Sequence, residues 1–283
     1  MTTIIRMLVL TFAVTSLCAQ DFQGVATYKT QRKFDIKMDS TKMNDAMQTQ
    51  IMEMMKKQFQ KTFNLTFDKS SSLYKQEEEL GKPQVGGGDF QFQMIGGGGG
   101  SDVLYKSIKD QNYIDQKETM GKKFLVKDSI SKIEWQLESD TKYIGEYLCF
   151  KATYTKQVSV SRMSFSSRSN IDDEDEEEKE PEMEEQIVTA WYTPQVSVSN
   201  GPAKYQGLPG LILEIHDGKL TIICSKIVIN PEDKITIEAP TKGKEVNQAE
   251  YEEIMDKKTK EMMGRYAPRK GSEGDAIEIT IGG

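Results

Sequence analysis

His216 is the only histidine among 283 residues, so any imidazole-based acid or base chemistry has to run through it. It stands beside Asp217-Gly218, a strong two-residue hairpin signal, and no Gly-x-Ser-x-Gly elbow or other nucleophile signature accompanies it. A turn residue is the simpler reading. The same count removes His-rich zinc sites and the paired-histidine motifs of metalloproteases. Carboxylates can act without an imidazole, and Glu134 with Glu214 would be a pair of the kind that cleaves glycosides, although nothing in their spacing brings them together. Of fifteen methionines, Met43, Met47, Met52, Met54 and Met55 lie close enough to suggest soft ligands for copper. Their helical spacing fits a core-facing stripe better. The acidic run Asp172 to Glu185 lacks the Asp-x-Asp-x-Asp-Gly spacing of a calcium loop, and the glycine clusters lack the Lys-Ser/Thr ending of a phosphate loop. The sequence therefore assigns no catalytic residue, no cofactor and no metal.

The elements that carry these residues are mostly strands. Gly24 to Ile36 is rich in β-formers, Phe63, Leu65 and Phe67 alternate with polar residues, and Ser71 to Glu77 follows a turn. Strand signals resume at Val103 to Ile108, Tyr113 to Lys117, Lys122 to Lys127, Ile133 to Leu137 and Glu146 to Gln157. Further ones lie at Ile187 to Tyr192, Leu211 to Ile215, Lys219 to Ile229 and Ile235 to Glu238, and Ala276 to Ile281 is a candidate edge. Two stretches change period. Met43, Met47, Ile51, Met55 and Phe59 recur every four residues within Lys42 to Lys61, an amphipathic helix. A second helix starts near Asn247, whose side chain can cap it with Glu250 three residues on, and stops at Gly264. Many strands and two helices argue against a βαβ plan. The expected fold is mainly β (α+β): a curved antiparallel sheet, open or half-barrel-like, with two amphipathic helices.

Residues 1–19 read as a secretory signal peptide, with Arg6, an apolar stretch from Met7 to Val14 and small residues up to Ala19. No other apolar run approaches the length of a transmembrane helix. Leu17 precedes Cys18 where a lipoprotein signal wants a small residue, so plain cleavage is expected. Two cysteines then remain, Cys149 and Cys224. In an oxidising compartment an even pair suggests a disulfide, the alternative being two separate buried thiols. Residues 20–283 form one β-rich domain with flexible loops at 81–101, where glycine is dense, and at 159–186.

The formal charge of −7 resides in that second loop, because Asp172 to Glu185 holds eleven acids and one lysine. The remainder is nearly neutral and has no clustered basic face for nucleic acid.

Gly207-Leu208-Pro209-Gly210-Leu211-Ile212 spells the signature of the GLPGLI family of exported Bacteroidota proteins, which this chain resembles. Trp191 and Tyr192, then Gly201-Pro202 before the hexapeptide, match the surroundings. Thr141-Lys142, Ile144-Gly145, Tyr147, Cys149 and Lys151-Ala152 resemble the family's upstream segment. The likeness is densest from Trp135 to Ile229. It implies export to the periplasm or outer-membrane surface of a Gram-negative bacterium and a strand-rich fold, and it implies no reaction. Asp128-Ser129-Ile130 and Asp39-Ser40-Thr41 look like acceptor sites for the O-linked glycans of this bacterial group. Read physically, Gly201-Pro202 and Pro209-Gly210 form a tight corner that delivers Leu211 to Ile215 into the sheet. Strand alternation sends Trp191 and Tyr192 to opposite faces. The expected role is a non-catalytic binding or carrier module for an apolar ligand or an envelope protein, ahead of a carboxylate-based hydrolase or a structural and surface-interaction protein. Neither nucleic acid nor a transmembrane segment in the mature chain is expected.

Overall fold

The computed structural model describes residues 22–32, 35–37, 60–77, 102–119, 121–160, 164–165, 182–233, 235–266 and 277–280. The alternating segments form the strands β1 (Gly24–Arg32), β2 (Asp35–Lys37), β3 (Lys61–Phe67), β4 (Ser71–Gln76), β5 (Val103–Ser107), β6 (Asn112–Thr119) and β7 (Lys122–Ser129). The second half supplies β8 (Gln136–Ile144), β9 (Tyr147–Val160), β10 (Ser164–Phe165), β11 (Glu182–Thr193), β12 (Leu211–Asp217), β13 (Leu220–Ile229), β14 (Lys244–Val246) and β15 (Ile277–Thr280). One helix, α1 (Gln248–Tyr266), is present among the described residues. The helix expected over Lys42 to Lys61 lies outside them up to residue 59; Gln60 is irregular and Lys61 opens β3.

Twelve strands make one sheet in the order β14-β7-β6-β5-β4-β3-β1-β13-β12-β11-β9-β8. It does not close, and β14 joins β7 in parallel while every other pairing is antiparallel. Strands β10, β15 and β2 form a separate three-stranded sheet, which is where the closing Ala276 to Ile281 signal goes. In the large sheet, β3 to β7 are a meander of neighbours in sequence, and so, apart from β10, are β8 to β13. β1 stitches the two halves together, pairing with β3 on one side and β13 on the other.

Period-two burial defines the inner face. Gly24, Ala26 and Tyr28 of β1 and Leu65 and Phe67 of β3 are buried on it. β12 reads LILEIHD and is buried at every position but His216, the burial of a central strand covered on both sides, with the carboxylates Glu214 and Asp217 among the buried positions. The cover on the inner face is the chain itself. The 194–210 segment between β11 and β12 buries Val196, Val198, Asn200, Gln206 and Leu208 and reaches far across the sheet. The Nζ of Lys106, on β5, donates to Gly201 O at 2.8 Å, and Trp135 Nε1 donates to Gln206 O at 2.8 Å.

Two expected strands depart from their expected course, one in part and one wholly. Ile133 to Trp135 is irregular because its groups turn locally, Trp135 N donating to Ile133 O at 3.1 Å while the indole seals the loop; β8 begins only at Gln136. Ile235 to Glu238 lies between Pro231 and Pro240 and is tied to the Gln23 side chain rather than to a ladder. The helix start is as expected. Glu250 N donates to Asn247 Oδ1 at 2.8 Å and Asn247 N to Glu250 Oε2 at 2.9 Å, a reciprocal capping box. α1 packs on β7 through Tyr251, edge-on to Phe124 with ring centroids 5.6 Å apart. It continues two residues past Gly264 to Tyr266.

Candidate functional site

The hexapeptide is a corner held by close approach. Gly207 has φ +93° and lies against the Trp135 ring, and Gly210 has φ +154° with its Cα so near β11 that a Cβ would sit 2.2 Å from Thr193 O. Only glycine fits there. A Cβ on Gly201 would meet Ile212 Cβ at 2.8 Å, while Pro202 and Leu208 are buried and Pro209 is exposed. Leu211 N donates to Val196 O and Ile212 N to Asn200 O, so the loop is laced to the strand it delivers. The ring hydroxyl of Tyr28 donates to Ile212 O at 2.7 Å from below. Beyond the corner, Tyr205 Oη hydrogen-bonds the Asp217 carboxylate, which also takes Lys156 Nζ at 2.7 Å and the Gln186 amide. Burial and then that carboxylate push the Tyr205 phenol well above its usual range. These bonds dock the loop on the inner face.

Trp191 and Tyr192 do occupy opposite faces. Tyr192 is core, 6% exposed. Trp191 faces the other side, directly across from Glu214, with Lys142 Nζ 4.3 Å from its ring centroid. Lys142 also donates to Glu214 Oε1 at 2.7 Å, and the same oxygen meets His216 Nε2 at 2.5 Å. His216 is therefore a strand residue, not part of the turn: two positions after Glu214, it shares that residue's face. Its Nδ1 lies 3.2 Å from the hydroxyl of Thr221, the residue paired with it on β13. Hydroxyl, imidazole and carboxylate thus stand in the order of a nucleophile, a base and its orienting acid. The sequence reading missed Lys142 and Thr221 as members, although the Glu-x-His spacing on a strand was a signal for the pair. Glu134 does not join them. It is 80% exposed and pairs with Lys132, while the Glu214 carboxylate is taken by Lys142 and His216.

A second polar assembly sits at the other end of the inner face. Phe67, Ser72, Lys106, Tyr113 and Asp128 are successive register partners across β3 to β7. Lys106 is 1% exposed, and burial lowers its amine to about 7. It holds Gly201 O and, at 3.4 Å, Tyr205 O. Around it, Ser72 Oγ, Asn200 Nδ2 and Gln206 Oε1 are buried without a partner. A cleft of about 320 Å³ opens here, lined by Lys106, Tyr113, Lys204, Gln248, Ile133 and the 128–131 segment. Lys204 Nζ reaches Tyr113 Oη at 3.0 Å and Gln248 Oε1 at 3.2 Å, and Tyr113 Oη donates to Gln248 Oε1 at 2.9 Å. Asp128 accepts the backbone N–H of Ser129 and of Gln248, at the start of α1. Those bonds hold its carboxyl below the usual range. Lysine on an inner-face position, in phase with buried Leu104, was the sequence signal for this assembly.

Cys149 and Cys224 are free, buried thiols, on strands separated by β11 and β12. Their sulfurs donate to Tyr147 O and Lys226 O, and burial pushes Cys149 up to about 11 and Cys224 up to about 12. The clustered methionines, the Asp39 tripeptide, the glycine clusters and residues 172–181 of the acidic run fall outside the described residues. No described helix is long and apolar enough to cross a membrane.

A family model described as "Protein of unknown function (Porph_ging)" matches residues 135–214, which contain Lys142, Trp191, the hexapeptide and Glu214. No curated protein matches the chain. Two solved structures of PNGF-II, in the C2 and P21 space groups, are similar at TM-score 0.45 with 12% and 13% identity, over 83% of this chain. The chain spans only 33% of the length of those proteins.

Proposed function

We propose that this is an exported envelope protein of the GLPGLI type, in the periplasm or on the outer membrane, and a non-catalytic module that binds a protein partner. The observation that carries the reading is the contrast between the two parts of its surface. The inner face, where an apolar ligand would lie, is occupied by the chain's own 194–210 segment, with Val196, Val198 and Leu208 buried in it. Large apolar side chains are exposed instead on β8, Leu137 at 61% and Tyr143 at 72%, and on β11, Met183 at 56% and Ile187 at 65%, with Ile223 of β13 less so at 40%. Leu137 and Tyr143 sit on the last strand of the sheet, and Met183 and Ile187 sit two strands in, on β11. Leu137 and Tyr143, two large exposed apolar side chains on the edge strand itself, mark an interaction site. The bulge between Leu137 and Thr141 in the β8–β9 register, with Glu138 and Asp140 within it, protects part of that edge against indiscriminate strand pairing. A half-barrel curvature is part of the same reading, since a loop hung from β11 and β12 touches β5 and Trp135 at once.

The test is photo-crosslinking in the native host with a benzophenone amino acid at position 143, and at exposed Lys122 as control. A discrete adduct at 143 alone, abolished by Leu137→Glu with the melting temperature unchanged, supports the reading. An identical pattern from both positions, or none, defeats it. The Thr221–His216–Glu214 arrangement favours a second reading, a hydrolase acting on an accessible ester. Its test is turnover of p-nitrophenyl acetate by purified protein and its loss in His216→Ala; equal rates in the two proteins retire it.

A further inference from the structure

We propose that the cleft between β5–β7 and the start of α1 binds a small monocarboxylate, its head on the Lys204 and Lys106 amines and its apolar stub on Ile130 and Ile133. This site is independent of the β8 margin, at the opposite end of the sheet.

Hydrogen-bond accounting selects the ligand class. An ammonium has three protons. Lys204 uses two, on Tyr113 Oη and Gln248 Oε1, and Lys106 uses two, on Gly201 O and Tyr205 O. In its ammonium form each amine therefore keeps a donor, Lys204 lying also 4.1 Å from the Tyr113 ring centroid, and neither makes an ion pair with a cleft-lining carboxylate. The cleft-lining acceptors beside them already have donors. Gln248 Oε1 takes Tyr113 and Lys204, while Asp128 takes two backbone N–H groups, one of them at the start of α1. The spare capacity of the two lysines is thus donor capacity, which an acceptor-only carboxylate satisfies. The cleft's 320 Å³ lies at the small end of ligand sites, about 300 to 1,000 Å³, and the two isoleucines give it one apolar wall.

Its charge is finely balanced. Asp115, Asp128 and Glu252 act on the Lys204 amine with opposite sign to Lys117, and burial lowers its affinity for a proton. A carboxylate brought beside Lys106, whose proton is loosely held because the amine is buried, would favour the charged form and draw a proton in. A neutral amide of the same shape would do neither. An alkylammonium would meet two amines.

The test is isothermal titration of the full chain with hexanoate, hexanamide and hexylamine. Runs in two buffers of different ionisation enthalpy count the protons taken up. Saturable hexanoate binding is expected, at least tenfold tighter than either analogue, with proton uptake and an affinity that falls between pH 6 and 9. Lys204→Gln should weaken it at least tenfold with an unchanged melting temperature. Lys106→Met, if it folds, should abolish the proton uptake. Equal binding of hexanamide, undiminished binding by Lys204→Gln, or no saturation up to about 10 mM, a free energy of only about 3 kcal/mol, would each overturn the proposal.

Discussion

Lys106 carries the largest electrostatic liability in the described fold. Its amine is lowered to about 7 by burial, whereas an unfolded lysine titrates near 10.4. Between those values the unfolded chain holds a proton that the folded chain has released. Stability therefore rises with pH through the window, and the cost of confining the charge is fully present below about 7. At about 1.4 kcal/mol per pH unit the full span is worth on the order of 4 kcal/mol. Urea midpoints at pH 6.5, 8 and 9.5 should climb for the native protein relative to Lys106→Met, in which the slope over that window is lost. Parallel curves for the two proteins would mean that the amine stays hydrated and charged. Legibility at this scale was uneven. Alternation placed Tyr192 in the core and Trp191 opposite it, because period two is a property of any strand. The same alternation puts Lys106 in phase with Leu104, yet nothing local reveals that carbonyls ninety-five residues away wait for it.

The elements were legible where local chemistry decides them and opaque where distant contacts do. The Asn247–Glu250 cap is written in four consecutive residues, and so is the Asp217-Gly218 turn, with φ +55° at Gly218. Ile235 to Glu238 has strand composition, but two prolines and the side chain of Gln23 hold it off the ladder. Gly201-Pro202 and Pro209-Gly210 mark a turn into a core strand, and the 194–210 segment that holds them is also the cover of the inner face, which no local pattern reports. Its glycines permit a sharp comparison. Gly145 has φ +60° and open space around its Cα, whereas a Cβ on Gly210 would strike the Thr193 carbonyl. Gly145→Ala should cost only the backbone strain, about 1 kcal/mol. Gly210→Ala adds a clash with backbone that cannot yield without parting β11 from the corner, so it should cost at least about 3 kcal/mol. Chemical denaturation of the two variants checks the order; equal costs would show that the corner is free to move.

At the scale of the molecule, the order of strands is what no residue or element foretells. Each meander is local, but β1 pairs Gly24 with Ile229 and with Phe67, so the N-terminal strand closes a loop of some two hundred residues. Such closure costs only a few kcal/mol more entropy than a short one, and it repays that cost by burying Ala26, Tyr28, Leu65 and Phe67 completely. It also makes folding slow, because the pairing that unites the halves has the highest sequence separation in the large sheet. If β1 is the stitch, breaking it should unfold the halves separately. Ala26→Asp places an unpaired carboxylate at a fully buried point between β3 and β13, at a cost of several kcal/mol. Hydrogen exchange should then show β3 to β7 and β8 to β13 opening at different denaturant concentrations, whereas the native protein opens both together. Asn247→Ala, which removes only the α1 cap and about 1 kcal/mol, should leave the two halves opening together. Coincident opening of both halves in Ala26→Asp would mean that the sheet is united across the loop at 194–210 instead, through the Lys106 and Trp135 contacts, and that β1 is an accessory strand.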